Sequence, residues 1–280
     1  LLQSSAASDV YKRQGYVSDT ADKFDDVGNS TNNTASQNDG FVKRMEMFKE
    51  SQWVYFCVNL HIDITTLRKF IPPGIKIEID FERNPDSFCL LSDKPVGNYE
   101  IELDDLRLKV ERVVPGDGIM SYYRSSLDKK IQPRLPIDRS LLKTYTVTTG
   151  TSDLSEYNII TGKQLPEQVI VAIVDEDAHR GVIGKNPFHF QNYDLSEASL
   201  VVNGVHEPQD MYKLNETVGD KVDMYANFLE NTGISTDDRE FGITMEDYYG
   251  GSFMLVWDRT QDRCNSCLLY TSPSPRDKHR

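Results

Sequence analysis

A few groups of residues in this 280-residue chain have the types and spacing to do chemistry. Asp175-Glu176-Asp177, with His179 two residues on, offers clustered carboxylates and one imidazole at the end of an apolar run. Hard divalent cations favour such oxygen sets. The other histidines outside the C-terminal tail, His61, His189 and His206, are scattered, and none completes H-E-x-x-H or a His-x-His pair. Gly181-x-x-Gly184-Lys185 lacks both the first glycine spacing and the Ser/Thr after Lys that a phosphate loop needs. No G-x-S-x-G nucleophile turn occurs. Cys264-x-x-Cys267 has no second pair to complete a zinc site, and Cys57 and Cys89 sit in apolar runs where they read as small buried hydrophobes. Glu100 and Glu102 alternate with apolar residues, so they belong to the polar face of a strand. Nothing local places them across a cleft, as glycoside hydrolysis requires. The expectation is a protein with no catalytic residue, no metal ligand and no cofactor. The carboxylate cluster then serves as a solvated strand end that discourages edge pairing.

The most unusual stretch is Lys185-Asn186-Pro187-Phe188-His189-Phe190-Gln191-Asn192-Tyr193-Asp194. Three aromatics share a proline-containing loop just before a strand. Phe188 and Phe190 would bury large areas if the loop plugs into its own domain or into a neighbouring subunit. An aromatic sugar-binding platform is the functional alternative. Asn186, Pro187, Phe188, Phe190, Tyr193 and Asp194 are therefore the candidate assembly loop.

The elements that would position this loop are mostly strands. Trp53 to Ile62 is aromatic and β-branched on both phases, as in a strand covered on both faces. Ile75, Ile77, Ile79 and Phe81 alternate with Lys76, Glu78, Asp80 and Glu82, the pattern of a half-buried strand. Tyr99, Ile101 and Leu103 alternate likewise, and the phase then slips to Leu106, Leu108 and Val110. A β-bulge at Asp104-Asp105 accounts for the slip. Further strands are expected at 141–149, at 169–174 as a central strand, at 198–205 with a turn near Gly204, and at 253–257. Short helices suit 42–49 and 119–130. Leu214, Val218, Val222, Tyr225 and Leu229 line one face of an amphipathic helix within 214–231, which Gly233 can end. About eight strands, long loops and one inserted helix argue an all-β fold, an antiparallel jelly-roll β sandwich.

Composition narrows the classes further. Net charge is −13, which argues against a nucleic-acid-binding surface. No purely apolar run exceeds six residues, whereas a membrane span needs about 20. Residues 15–40 are rich in Ser, Thr, Asn, Asp and Gly, and 15–50 reads as a flexible linker or inter-domain junction. Asn29-Ser30-Thr31 and Asn32-Asn33-Thr34 fit the glycosylation pattern but read as polar linker. Residues 1–14 and 264–280 resemble translated sequencing adapters and are set aside. They carry +1 and +2, leaving −16 on 15–263. The jelly-roll domain is then expected to span 51–263 and to be truncated at its C-terminal end.

Gly162-Lys163-Gln164-Leu165-Pro166-x-x-Val169-Ile170-Val171-Ala172-Ile173-Val174, the 185–194 loop and Val202-Asn203-Gly204 together carry a resemblance. With the strands at Ile75 and Leu106, Asp86-Ser87-Phe88-Cys89-Leu90, Tyr225 and Asp247-Tyr248, the chain from about 41 to 262 resembles the major capsid proteins of Polinton/Maverick elements and adintoviruses. That resemblance implies a double jelly-roll capsid protein of which this chain is the second jelly roll, assembling as a homotrimer within a capsomer. It implies neighbouring capsomers and a penton or minor capsid protein as partners, and a place in the virion capsid, assembled in the host nucleus or cytoplasm. It supplies no catalytic residues. A carbohydrate-binding jelly-roll module is the alternative, and a jelly-roll enzyme with a metal at Asp175, Glu176, Asp177 and His179 is the third reading.

Overall fold

The computed structural model describes residues 15–67, 69–94, 99–131, 134–152, 165–214, 217–233 and 242–260. The chain divides into two units. The first takes residues up to 56, 84–99 and from 154 onward, and the second takes 57–83 and 100–153. The elements are α1 (Asp39–Met47), α2 (Asp86–Cys89), α3 (Asp117–Asp128), β1 (Gln168–Val171), α4 (Glu176–His179), β2 (Glu197–Val202), β3 (Val205–Lys213), α5 (Val218–Asn231), α6 (Met245–Tyr249) and β4 (Leu255–Asp258).

The first unit holds the core. β2 and β3 form a hairpin whose turn is Asn203-Gly204, both at positive φ (51° and 83°). Asn-Gly is the pair that accepts the twist-matched two-residue turn. A register shift between Ala198 and Leu200 marks a bulge in this hairpin. β1 pairs antiparallel with β4, Val169 opposite Trp257. Helix α5 seals the core with Met224 and Phe228, one turn apart and both buried. Phe228 packs at 4.8 Å on Tyr248, which in turn meets Phe253 at 5.2 Å. The Tyr248 hydroxyl donates to the Met254 carbonyl (2.8 Å), so its polar end is satisfied inside the cluster. Asn231 Nδ2 donates to the Val256 carbonyl (2.7 Å), and Gln168 Nε2 donates to the Asn231 carbonyl (2.8 Å). These two bonds stitch the end of α5 to the β1–β4 pair.

α5 begins where its sequence tells it to. Thr217 Oγ1 accepts from Asp220 N, and Asp220 Oδ2 accepts from Thr217 N. This reciprocal box satisfies two donors that the first turn leaves orphaned. Thr217→Ala is expected to cost about 1 kcal/mol, read as a lower thermal midpoint without loss of the fold.

Several expectations need correction. The amphipathic helix is present, and Tyr225 and Leu229 of the expected stripe pack against the core, but the two valines of that stripe do not. Val218 is 78% exposed and Val222 is also exposed, while Met224 and Phe228 point inward. Leu214 is buried ahead of the helix, not on it. The valine spacing fitted one helical face, but the seat lies under the larger side chains, which bury more area. Among the described residues β1 is not a central strand: β4 is its one partner there, and Ile170 on its outer face is exposed.

The stretches 53–62, 75–81, 99–110 and 141–149 form no strand among the described residues. Alternation gives a strand two faces but no partner, and a strand without a ladder is not one. The bulge expected at Asp104 and Asp105 therefore has no ladder to interrupt; Asp105 instead pairs with Arg107 (2.7 Å) on the surface. Strand content is 12%, in two small antiparallel sheets, so β structure is present, and the strands among the described residues do not by themselves make up a jelly-roll sandwich. Cys57 and Cys89 are exposed and not buried. The adapter-like ends lie outside the described residues.

The stretch expected to be a flexible junction is folded. Its Asn, Asp, Ser and Thr residues act as caps and turn locks. Asn38 caps α1 by accepting from Phe41 N, Asp26 accepts from Gly28 N and Gln37 N, and Asn29 Oδ1 accepts from Thr31 N and Asn32 N. Polar composition predicts disorder only where such local bonds are not made. Arg44 and Asp19 pair at 2.5 Å, and Thr20 N donates to Asn38 Oδ1 at 3.2 Å, which closes residues 18–47 into one strap.

Candidate functional site

The strap seats on the 185–194 loop, and the two form the best-defined polar site in the first unit. Asn186 is buried and carries the joint. Its backbone N–H donates to Asp25 Oδ1 (2.6 Å), and its Nδ2 donates to Asp19 Oδ2 and the Phe24 carbonyl (3.4 Å each). Its own Oδ1 accepts from Phe188 N (3.0 Å), which fixes the loop's shape.

His189 is the second anchor. Nδ1 lies 2.7 Å from Asp25 Oδ2, and Nε2 lies 2.8 Å from Gln191 Nε2. A carboxylate only accepts, so Nδ1 donates to Asp25, while the Gln191 amide nitrogen lies within reach of both ring nitrogens, 2.8 Å from Nε2 and 3.1 Å from Nδ1. The ring stacks on Phe24 at 5.2 Å, 17° from parallel. Burial pushes the Asp25 carboxyl up. The bonds from His189 and Asn186 and the nearby Lys185 charge outweigh that and hold it below its ordinary value.

A pair of glycines makes the close approach possible. A Cβ on Gly250 would lie 2.6 Å from Ala21 Cβ, and one on Gly251 would lie 2.5 Å from the Phe24 ring. Asp22 N donates to the Gly250 carbonyl (2.7 Å). The loop itself is tied to the core on its other side: Phe190 N donates to the Gly251 carbonyl (2.8 Å), and Phe253 N donates to the Phe190 carbonyl (3.1 Å). The loop is thus clamped between the strap and the aromatic core.

Beneath the strap is a cavity of about 110 Å³, lined by Asp25, Asp175, Lys185, His189, Gln191 and Tyr193 among others. Lys185 Nζ meets Asp175 Oδ2 at 3.3 Å. Burial lowers the Lys185 pKa, but the Asp175 bond and the Asp175 and Asp25 charges more than restore it. Burial and the Asp175 charge push the Tyr193 phenol up. The charged groups of this cavity are already paired with one another, and among the described residues no hydroxyl or thiol is hydrogen-bonded to His189.

The remaining candidates separate in space or in partners. Asp175 Oδ1 accepts from Asp177 N as the cap of α4, and Glu176 pairs with Arg180. Among the described residues no three His, Cys, Asp or Glu groups are placed to share a metal ion. His206 pairs with Ser199 (2.9 Å) on the exposed β2–β3 hairpin, and His61 lies in the second unit. Trp257 is buried in the core and Trp53 is exposed, so the two tryptophans do not share a platform.

Within the assembly loop, Phe190 is partly buried, whereas Phe188 is half exposed with its ring edge-on to Phe88 (6.4 Å). Tyr193 and Asp194 are exposed, at φ 46° and 54°. Two successive side-chain-bearing residues in the left-handed region store strain at the loop's exit. The residues that sequence reasoning missed are Asp19, Asp25, Phe24, Gly250 and Gly251. A lone Phe inside an acidic polar stretch and an adjacent glycine pair were the available signals. No family model matches the chain, and no curated protein or solved structure matches it.

Proposed function

We propose that this chain is a structural, self-assembling protein: the second jelly roll of a double jelly-roll major capsid protein of the Polinton/Maverick and adintovirus type. The observation that carries the reading is the apolar surface of the second unit. Leu142 is 92% exposed, and Leu141, Val110, Val114, Leu106, Leu108 and Tyr122 are exposed with it. Isolated surface hydrophobes are ordinary, but this many on alternating segments of one unit support a role in protein–protein contact. Copies of the same chain and adjacent shell proteins, including a penton or minor capsid protein, would cover them in a trimeric capsomer of a virion. The clamped 185–194 loop, with Phe188 standing out of it, gives such a shell a rigid contact point. The acidic balance leaves nucleic-acid condensation to a separate basic protein.

Sedimentation velocity with negative-stain electron microscopy of the full chain tests this reading. Trimers or larger regular assemblies at micromolar concentration are the expected result. A stable monomer throughout that range would overturn it, and glycan-array binding by such a monomer would put the carbohydrate-binding module in its place.

A further inference from the structure

The strap is held by a different kind of contact from the rest of the first unit. None of its residues belongs to the buried apolar cluster that unites β1 to β4, α5 and α6. Its seat consists of hydrogen bonds to Asn186, His189 and Gly250, one ring stack, and a peripheral bond from Ser30 N to Asp93 Oδ2 (2.6 Å). Polar interfaces of this kind resemble transient protein–protein contacts more than a core. Within itself the strap is well knit, through Arg44–Asp19, Thr20–Asn38 and the Asn29–Thr34 bridge. It can leave its seat without unravelling.

The segment that follows the strap is bent under strain. Glu50 and Ser51, consecutive and exposed, hold φ values of 60° and 57°. Neither is glycine, and the left-handed region is strained for a residue with a side chain. After Phe56 the chain does not return to the first unit until Asn84. A short strained hinge beside a detachable element favours exchange between copies, because opening the hinge relieves the strain while every seat contact is remade on the neighbour.

We propose that the strap is an exchange element: the seat formed by Asn186, His189, Gly250 and Gly251 accepts the 18–47 strap of a second copy. The chemistry of the pair supports this occupant. The strap presents the Asp25 and Asp19 carboxylates beside Phe24, and the seat presents the Asn186 amide, His189 and Lys185. Because the seat contacts are identical in both forms, the balance is set by the strain that the hinge releases and by effective concentration. That is of millimolar order for a tethered segment, so exchange grows as copies are crowded. The inference stands apart from the shell reading, since two copies in solution suffice.

Two full-length variants test it, each with the four native cysteines changed to serine: one carries Ser30→Cys and the other Asp93→Cys, with different affinity tags. They are incubated together at rising concentration and treated with a short bismaleimide. A chain carrying both cysteines, cross-linked at high dilution, reports the strap seated on its own copy. The expected result is an intramolecular link in the double variant and a mixed dimer of the single variants whose yield climbs with concentration. Adding Gly250→Ala to both single variants should bring the dimer to background, since that Cβ meets Ala21 and the backbone of Asp22. An intramolecular link with no mixed dimer at any concentration would overturn exchange. So would a mixed dimer that survives Gly250→Ala, or no link in either experiment.

Discussion

Phe228→Ala is expected to cost the first unit about 3–5 kcal/mol, the range for emptying a fully buried aromatic site. Phe228 is buried on α5 and packs on Tyr248, which also contacts Tyr225, Tyr249 and Phe253. The cluster around Tyr248 cannot close over the void, because Tyr248 is pinned by its bond to the Met254 carbonyl and β4 is pinned by Asn231. A domain holds about 5–15 kcal/mol in total, so this one change removes a large share. At roughly 2–4 °C per kcal/mol for a unit of this size, the thermal midpoint should fall by about 6–20 °C. Val218→Ala is the matched comparison. The valine spacing alone would place Val218 on the same inward stripe, yet its exposure predicts a change within about 0.5 kcal/mol. Equal losses from the two variants, by calorimetry, would show that the helix is seated on its valine stripe instead.

The contrast between those two positions shows what the sequence could and could not disclose. The β2 strand and the turn near Gly204 were legible, because Asn203-Gly204 is a turn-forming pair; the returning strand β3, with Pro208 and charged residues interrupting its alternation, was not. α5 was legible as a helix within 214–231 from its apolar spacing and from Gly233, which can end it, but its start at the Thr217 cap was not read and Leu214 lies ahead of it. Its rotation about its axis was not legible either, because that depends on which face meets Tyr248 and Phe253, residues of a different segment. The same limit explains the unpaired stretches at 75–81 and 99–110. Their alternation is plain in the sequence, but a ladder is a relation between two segments and no single window contains it. For the site, the 185–194 loop stood out by composition, whereas its counterpart at 19–25 did not. Asp25 lies 164 residues from His189, and nothing in a run of Asp, Thr and Asn distinguishes a carboxylate that will meet an imidazole from one that will face water.

Gly250→Ala should release the strap while leaving the core folded. The added Cβ would lie 2.6 Å from Ala21 Cβ and 2.9 Å from both Ala21 Cα and Asp22 N, all part of the strap or its backbone. Main chain cannot rotate out of the way as a long side chain can, so the strap must shift as a body. Overpacking of this kind costs about 1–3 kcal/mol, which corresponds to roughly a 5–150-fold larger open population. Trypsin reads that population at Lys23, next to the buried joint, and cleavage there should accelerate by at least about fivefold. The thermal midpoint of the aromatic core should stay close to wild type, because the core cluster contains no strap residue. Acid offers an independent route to the same state. The Asp25 carboxyl is held below its ordinary value, so its contribution to docking is fully present above the ordinary carboxylate range and is lost as pH falls through the lowered value. The wild-type strap should therefore loosen only in strong acid, under a protease active there, while Gly250→Ala should already be more open at neutral pH and should open further over the same acid range. Equal cleavage of wild type and variant at neutral pH would mean that the glycine is not what admits the strap to its seat.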